Sequence, residues 1–316
     1  MSRTSARRIL LMAHGAAESI SELDGYYTHV RGRPPPPALL QELTERYRAI
    51  GGRSPLRAIT ASLAARLEIE LDRREGPGTS RVRYGFRHTP PFLEDVVAAE
   101  LADQATDLVG VVLVPHFSRF VERGYRGPVE AALARHGGSA RVRFVDAWFL
   151  DPSFVALEAE LLREALGRLP SSEGASTRVC FTAHSLPESM LAGGDPYPEQ
   201  LRAGAAAIAR RAGIPPDGFQ IAYQSAGRTD DRWQGPDLRD VLRDLRVQGI
   251  DSVVVCAHGF VCDHLEVLYD IDIEARAVAD SLGMRFARSA MPNDDPRFVR
   301  VLADLIDRNE GLGTDR

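Results

Sequence analysis

The run Leu108-Val-Gly-Val-Val-Leu-Val114, closed by Pro115-His-Phe-Ser118, decides how the rest of the chain is read. A strand with one wet face alternates apolar and polar residues. This run has no polar side chain, which fits a strand buried on both faces, as in a parallel sheet covered by helices. Seven further apolar segments accompany it. The strands expected are Arg8–Ala13, Val82–Phe86, Leu108–Pro115, Val142–Trp148, Thr177–Ala183, Phe219–Gln224, Ser252–Ala257 and, more weakly, Met284–Ala287. Amphipathic stretches alternate with them: Pro37–Ile50, Pro55–Arg73, Pro91–Thr106, Val129–His136, Ser153–Leu169, Pro198–Ala212, Asp237–Val247, Asp263–Leu282 and Pro296–Asn309. Strand–helix alternation along the whole chain predicts an α/β fold with parallel sheets flanked by helices. Four strands precede Ala147 and four follow it. The expected architecture is therefore two Rossmann-like domains, residues 1–147 and 148–316, each with a four-stranded parallel sheet. The hinge is placed at Ala147–Pro152, where Asp151-Pro152 starts a helix, and the last helix is expected to pack back on the first domain. Residues 170–177 read as a surface loop and Pro34–Pro37 as a stiff lead-in to a helix.

Composition narrows the function. The chain has 316 residues, 44% hydrophobic and 26% charged, and a net charge of -5. That balance argues against a general nucleic-acid binder. No apolar run approaches the roughly 18 residues of a membrane span. The basic start, Met1 to Arg8, leads into an apolar stretch, Ile9–Ala13, too short for a signal-peptide core. The expectation is a cytoplasmic protein without integral membrane association. All 39 basic residues are arginine, which genomic base composition explains. Schiff-base and P-loop chemistry both need a lysine and are excluded. Proton transfer falls to His, carboxylates, Tyr or Cys. The three cysteines, Cys180, Cys256 and Cys262, include no C-x-x-C pair. Neither a disulfide framework nor a four-thiolate iron–sulfur cluster within the chain is expected.

In doubly wound sheets, ligands bind beyond the carboxyl ends of strands. His14, His88, His116, His184 and His258 all stand at or just past the expected strand ends, and Gln224-Ser225 ends another. The stretch Asp263-His-Leu-Glu266-Val-Leu-Tyr-Asp270-Ile-Asp-Ile-Glu274 carries Glu266, Asp270 and Glu274 at i, i+4 and i+8. On a helix these stack on one face, at a cost of about 0.2–0.5 kcal/mol per like-charged pair. A divalent cation or a solvated proton path would offset that cost. One imidazole with one carboxylate makes a sparse N/O site suited to Fe(II), Zn, Co or Ni, able to hold a metal in transit.

Several segments, in order, resemble one family. These are Tyr26-Tyr-Thr-His-Val-Arg31, Glu45-Arg-Tyr-Arg-Ala-Ile-Gly-Gly-Arg-Ser-Pro-Leu56, Pro115-His-Phe-Ser118, Ala183-His-Ser-Leu-Pro187, Gly194-Asp-Pro-Tyr-Pro198, Gln224-Ser225, Trp233-x-Gly-Pro-Asp237 and Gly259-Phe-Val-Cys-Asp-His-Leu-Glu266. Over nearly its whole length the chain resembles the ferrochelatases, nearest to the soluble bacterial form that uses coproporphyrin III. The resemblance implies a lyase-type metal chelatase of haem biosynthesis. It would insert Fe(II), as substrate, into coproporphyrin III or protoporphyrin IX and release two protons, with no permanently bound cofactor. A monomer is expected, with product hand-off to other haem-pathway enzymes.

By the same resemblance His184 and Glu266 match the catalytic and metal-site pair. Asp270, Glu274 and Ser225 lie along a proton or metal path, with Arg46 near its outer end. Arg31, Arg46, Tyr47, Ser54 and Tyr125 match porphyrin contacts; arginine forks suit propionates. Soluble relatives carry Tyr after the first strand as a ligand to the porphyrin iron. This chain has His14, which the resemblance makes an axial ligand of altered character. His258 before Gly259 is also a departure. The apolar lip of membrane-bound relatives is replaced by Gly32-Arg-Pro-Pro-Pro-Pro37, and nothing long follows Asn309, so the membrane-associated and cluster-bearing branches are not expected. A chelatase for another metal such as cobalt, and a non-catalytic haem or porphyrin carrier, are the alternatives.

Overall fold

The computed structural model describes residues 6–137, 140–169, 176–227, 229 and 231–311. Residues 1–5 of the basic start and 170–175 of the expected loop lie outside them. The chain divides into two compact units, drawn from Met1–Pro115, Arg119–Trp148 and Asn293–Arg316, and from His116–Ser118 and Phe149–Pro292.

The first unit is built on strands β1 (Arg7–Ala13), β2 (Ser80–Phe86), β3 (Asp107–Val112) and β4 (Arg141–Val145), all parallel, in the order β2-β1-β3-β4. Ile9 of β1 pairs with Val82 and Val109. The central strands are buried as their composition requires: Ile9, Leu10, Leu11 and Met12 are at most 2% exposed. Each such side chain removed from water contributes about 1.5–3 kcal/mol. The helix Pro296–Gly311 belongs to this unit. Phe298, Leu302 and Ile306 form its buried stripe, and Arg74 of the helix Leu56–Glu75 bonds Asp304 and Asp307 on it, both at 2.8 Å.

The second unit repeats the plan with β5 (Thr177–His184), β6 (Phe219–Gln224), β7 (Ser252–Cys256) and β8 (Arg285–Arg288), parallel, in the order β6-β5-β7-β8. Alternate residues of β7 enter different cores. Val253 and Val255 pack with the helix Leu238–Val247, whereas Val254 and Cys256 pack with the helices Pro152–Gly167 and Tyr197–Ala212. Both faces of the sheet are thereby covered. The segment His116–Ser118 joins this unit through the Phe117 N–H, which donates to Gln200 Oε1 at 2.7 Å, and the Ser118 hydroxyl, which donates to Asp195 at 3.1 Å.

In each sheet the strand order reverses beside the first strand. The ligand-binding crevice of a doubly wound sheet lies there, beyond β1 and β3 in one unit and beyond β5 and β7 in the other.

Besides the short turns Ile20–Glu22 and Glu188–Leu191, four helical segments differ from expectation. The helix Leu23–Arg31 was not expected, because Gly25, Tyr26, Tyr27 and Thr28 are poor helix formers. Burial of Leu23 and Tyr26 stabilises it, and Gly32 ends it at φ 68°. The expected helix Val129–His136 is instead Arg119–Ala132 followed by a wide turn, Leu133–Gly137. It runs through Gly124, Gly127 and Pro128, and the Arg87 guanidinium lies against Gly124 where a Cβ would stand. The stretch Pro91–Thr106 is helical only over Leu93–Ala102. The expected continuous helix Asp263–Leu282 is broken into Leu265–Leu268, a π-turn over Asp270–Ala275, and Arg276–Ser281.

Candidate active site

β5 ends on His184, a half-buried residue. Its Nδ1 lies 2.5 Å from the Ser185 carbonyl oxygen. A carbonyl only accepts, so Nδ1 carries the proton and Nε2 keeps its lone pair, the form a metal ligand or a base needs. Burial lowers the His184 pKa and the neighbouring His264 lowers it further, while Glu266 and Ser185 act against them; the net direction is down. The strand end is fixed on all sides. The Ser185 N–H donates to the Gln224 carbonyl at 2.8 Å, the Ser185 hydroxyl to the Gln234 carbonyl at 2.7 Å, and the Tyr197 hydroxyl to the His184 carbonyl at 3.1 Å.

Glu266 sits in the first turn of the short helix after β7, its side chain 31% exposed. Gln224 at the end of β6 donates from Nε2 to the Glu266 carbonyl at 2.6 Å. His264 closes on the same group: its Nε2 is 3.3 Å from Glu266 Oε2 and its Nδ1 is 2.8 Å from the Cys262 carbonyl. With Nδ1 turned to that carbonyl, Nε2 faces the carboxylate across this gap. The His264–Glu266 pair lies close enough to His184 to act on it electrostatically.

Behind it Asp270 is 7% exposed and accepts a hydrogen bond from the Ser225 hydroxyl. Ser225 adopts φ 63°, a backbone region unfavourable for a residue with a Cβ. The expected carboxylate ladder continues to Glu274, and a cation offsets its charge: Arg239 Nη1 lies 3.8 Å from Glu274 and also interacts with Asp270. Among the described residues no group of three or more His, Cys, Asp or Glu is arranged to hold a metal ion.

The first unit carries a second imidazole cluster. β1 ends before His14, which is exposed. Its Nδ1 is 3.3 Å from both the Gly15 carbonyl and the Tyr26 hydroxyl. The ladder runs on past the strands, with the His88 N–H donating to the His14 carbonyl at 3.0 Å. This sets the two rings 4.5 Å apart. His29, on the unexpected helix, places Nδ1 2.9 Å from His88 Nδ1 and stacks on Phe92. Burial, then the positive surroundings of His14, Arg87 and His29, push His88 down to about 3, so it is neutral at physiological pH.

The other residues singled out in the sequence are spread over both units. Arg31 ends the helix Leu23–Arg31 with its Nη1 buried and without a hydrogen-bond partner. Arg46 pairs with Glu42 at 3.0 Å and belongs to the first unit, whereas Ser225, Asp270 and Glu274 belong to the second. Tyr47 and Tyr125 are 1% and 2% exposed, the latter packed with Leu10, Met12, Leu93 and Val97. Ser54 is buried, and its hydroxyl accepts from the Leu56 N–H at 3.4 Å at the start of the following helix.

The family model described as Ferrochelatase matches residues 6–310. The chain belongs to the ferrochelatase family. The coproporphyrin III ferrochelatase of Halalkalibacterium halodurans is 40% identical over 302 residues, covering 95% of this chain and 96% of that protein. That of Bacillus subtilis is 40% identical over 300 residues, covering 94% and 96%. A protein named ferrochelatase from Herpetosiphon aurantiacus is 39% identical over 299 residues, covering 94% and 97%. Among solved structures, SirB from Bacillus subtilis with Fe3+ aligns with a TM-score of 0.57 at 13% identity, covering 97% of this chain and 98% of that one. This likeness speaks for the chelatase fold. Among the described residues of this ferrochelatase, no helix is long and apolar enough to cross a membrane.

Proposed function

We propose that this ferrochelatase inserts Fe(II) into coproporphyrin III, a step of haem biosynthesis, and releases two protons. The observation that carries this reading is His184: an imidazole pinned through Nδ1, with Nε2 available as a donor, beside the His264–Glu266 pair, in a chain 40% identical to coproporphyrin III ferrochelatases.

A free-base porphyrin loses two N–H protons as the metal enters. In this proposal neutral His184 takes one at Nε2 or hands on the metal, and the His264–Glu266 pair takes the second. Asp270, Ser225 and Glu274 pass the charge to solvent. His184 works only while unprotonated, so insertion falls as pH drops through its lowered pKa. Arg31 is the propionate clamp with a buried donor to offer, and Arg46 is a second cation in the same unit. Buried Tyr47, Ser54 and Tyr125 shape the porphyrin wall from behind. His14 serves as the axial ligand to the porphyrin iron. No resident cofactor takes part; the chain works as a cytoplasmic monomer and passes its product to another haem-pathway enzyme.

The test is metal insertion into coproporphyrin III and protoporphyrin IX side by side, with Fe(II), Co(II), Zn(II) and Ni(II), repeated for H184A and E266Q. Each variant is expected to lose about a hundredfold or more in kcat. Full activity in both would overturn the site. Less than one turnover per chain would make the protein a carrier, and preference for Co(II) would change its metal. For the axial role, H14Y should shift the Soret band of the bound metalloporphyrin; an unchanged spectrum would remove His14 from the iron.

A further inference from the structure

The stretch that bears Glu266 cannot hold its own shape. Leu265–Leu268 is a single helical turn, and the next turn, Asp270–Ala275, is widened to i→i+5 bonds, as where the Glu274 N–H donates to the Tyr269 carbonyl at 2.9 Å. Helical pieces this short are unstable alone. Their direction has to be imposed by contacts outside them. Gln224 and Ser225 supply contacts from β6, at Glu266 and Asp270.

The opposite support is Arg288, at the end of β8. Its guanidinium grips Asp272 as a fork, Nε to Oδ1 at 2.8 Å and Nη2 to Oδ2 at 2.9 Å. Nη2 also reaches Asp263 Oδ1 at 3.1 Å, and Nη1 donates to the Ser289 carbonyl at 3.1 Å. The side chain is 13% exposed, and Asp263 and Asp272 are 20% and 28% exposed. Water screens such a cluster weakly. Burial alone would lower the Arg288 pKa, yet the bonds to Asp272 and Asp263 raise it overall. Both anchor points flank the chemistry: Asp263 immediately precedes His264, and Asp272 lies between Asp270 and Glu274.

We propose that Arg288 is a positioning residue that clamps the segment 263–274 at both ends and so aims Glu266 and His264. The inference rests on the role given to Glu266 above. Lysine cannot reproduce the clamp, because an ammonium has no planar fork with which to bridge one carboxylate and reach a second.

The test compares R288A, R288K and D272N with the wild-type chain by two independent readouts. In hydrogen–deuterium exchange, peptides covering 263–276 should exchange about tenfold faster or more in R288A, and those covering β5 and β6 should not change. In insertion kinetics, kcat should fall about ten- to a hundredfold in R288A, as for the outer partners of metal ligands elsewhere. Coproporphyrin III affinity, read by fluorescence quenching, should stay within about twofold. R288K and D272N should fall between R288A and wild type. Unchanged exchange over 263–276 in R288A overturns the clamp. Faster exchange with unchanged kcat, or porphyrin affinity lost in step with kcat, overturns the positioning role. A wild-type chain that inserts no metal sinks the reading of Glu266, while the exchange result still decides whether the clamp exists.

Discussion

Substituting His258 by valine should reverse the order of stability between variant and wild type as the solution is acidified. His258 follows β7, is 1% exposed, and its Nε2 lies 3.0 Å from the Leu201 carbonyl. It stands edge-on to His116, ring centres 5.0 Å apart, and His116 is itself buried with neither ring nitrogen bonded. Burial pushes His258 down to about 4, against the pull of the Leu201 and Thr182 carbonyls. The unfolded chain takes up this proton as pH falls through about 6.5, and the folded chain waits until about 4. Between those values acidification favours unfolding. At about pH 5 the cost attributable to His258 is about 2 kcal/mol, and it is close to nil at about pH 7.5. H258V removes that dependence. It loses the bond to Leu201, a roughly pH-independent cost of about 1 kcal/mol. The variant should thus be slightly less stable than wild type near neutrality and more stable near pH 5. Urea unfolding at several pH values measures this. Trp233 lies in the same unit as His258 and Trp148 in the other, so a W148F background leaves Trp233 to report on the relevant unit. Titrating groups away from this pair, the buried Glu158 among them, act in both proteins and cancel in the difference; His116, which His258 pushes down, is relieved in the variant, which works in the same direction. Parallel stability–pH curves for the two proteins would refute the argument.

Glu158 gives the opposite slope. Burial raises it to about 8, so the folded chain keeps a proton that the unfolded chain loses above its ordinary value of 4.5. Its share of stability is present in acid and drains away as pH rises between those values, reaching about 4 kcal/mol by about pH 7.5; E158Q should flatten the urea series over that range. G15A should lower stability by about 1–3 kcal/mol, because Gly15 holds φ +94° and a Cβ there would stand 2.5 Å from Thr89 Oγ1. A calorimetric scan checks it, and an unchanged Tm would contradict the geometry.

The strands were readable because their composition has one cause. A strand covered on both faces disfavours a polar side chain at every position, and β3 after Asp107 and β7 after Ser252 follow that rule. The helices around the chemistry were less readable, because tertiary contacts override local preference there. Leu23–Arg31 is helical in spite of Gly25 and Thr28, and it alone brings His29 to His88, a contact across 59 positions for which the local sequence holds no sign. The importance of His264 was hidden by the assumption of a continuous helix. Two residues apart on such a helix, His264 and Glu266 would point to nearly opposite sides. The helix begins only after His264, which is extended at φ -159° and ψ -175°, and this lets the ring turn back onto Glu266. The carboxylate ladder was legible as a charge pattern, but the offsetting Arg239 sits on another helix, and spacing along one segment could not name it.

The two units solve the same local problem in the same way, and this bears on why histidine suits position 14. In each sheet a histidine stands at or just past the end of the strand at the order reversal, its Nδ1 meeting the carbonyl of the very next residue, Gly15 at 3.3 Å and Ser185 at 2.5 Å. In each, a tyrosine from a following helix donates to that turn, Tyr26 to the Gly15 carbonyl at 3.1 Å and Tyr197 to the His184 carbonyl at 3.1 Å. In each, a backbone bond shared with the neighbouring strand's end fixes the turn: the His88 N–H donates into it at the His14 carbonyl, and the Ser185 N–H donates out of it to the Gln224 carbonyl. A carbonyl at Nδ1 selects one tautomer, and that tautomer presents Nε2 as a neutral donor. A phenol placed after β1 would have no second nitrogen for the Gly15 carbonyl to orient, and would bind iron well only after losing its proton. The device at the end of β1 therefore favours imidazole on its own terms, and in the axial role proposed above His14 would offer iron a lone pair without first losing a proton, as a tyrosine would have to.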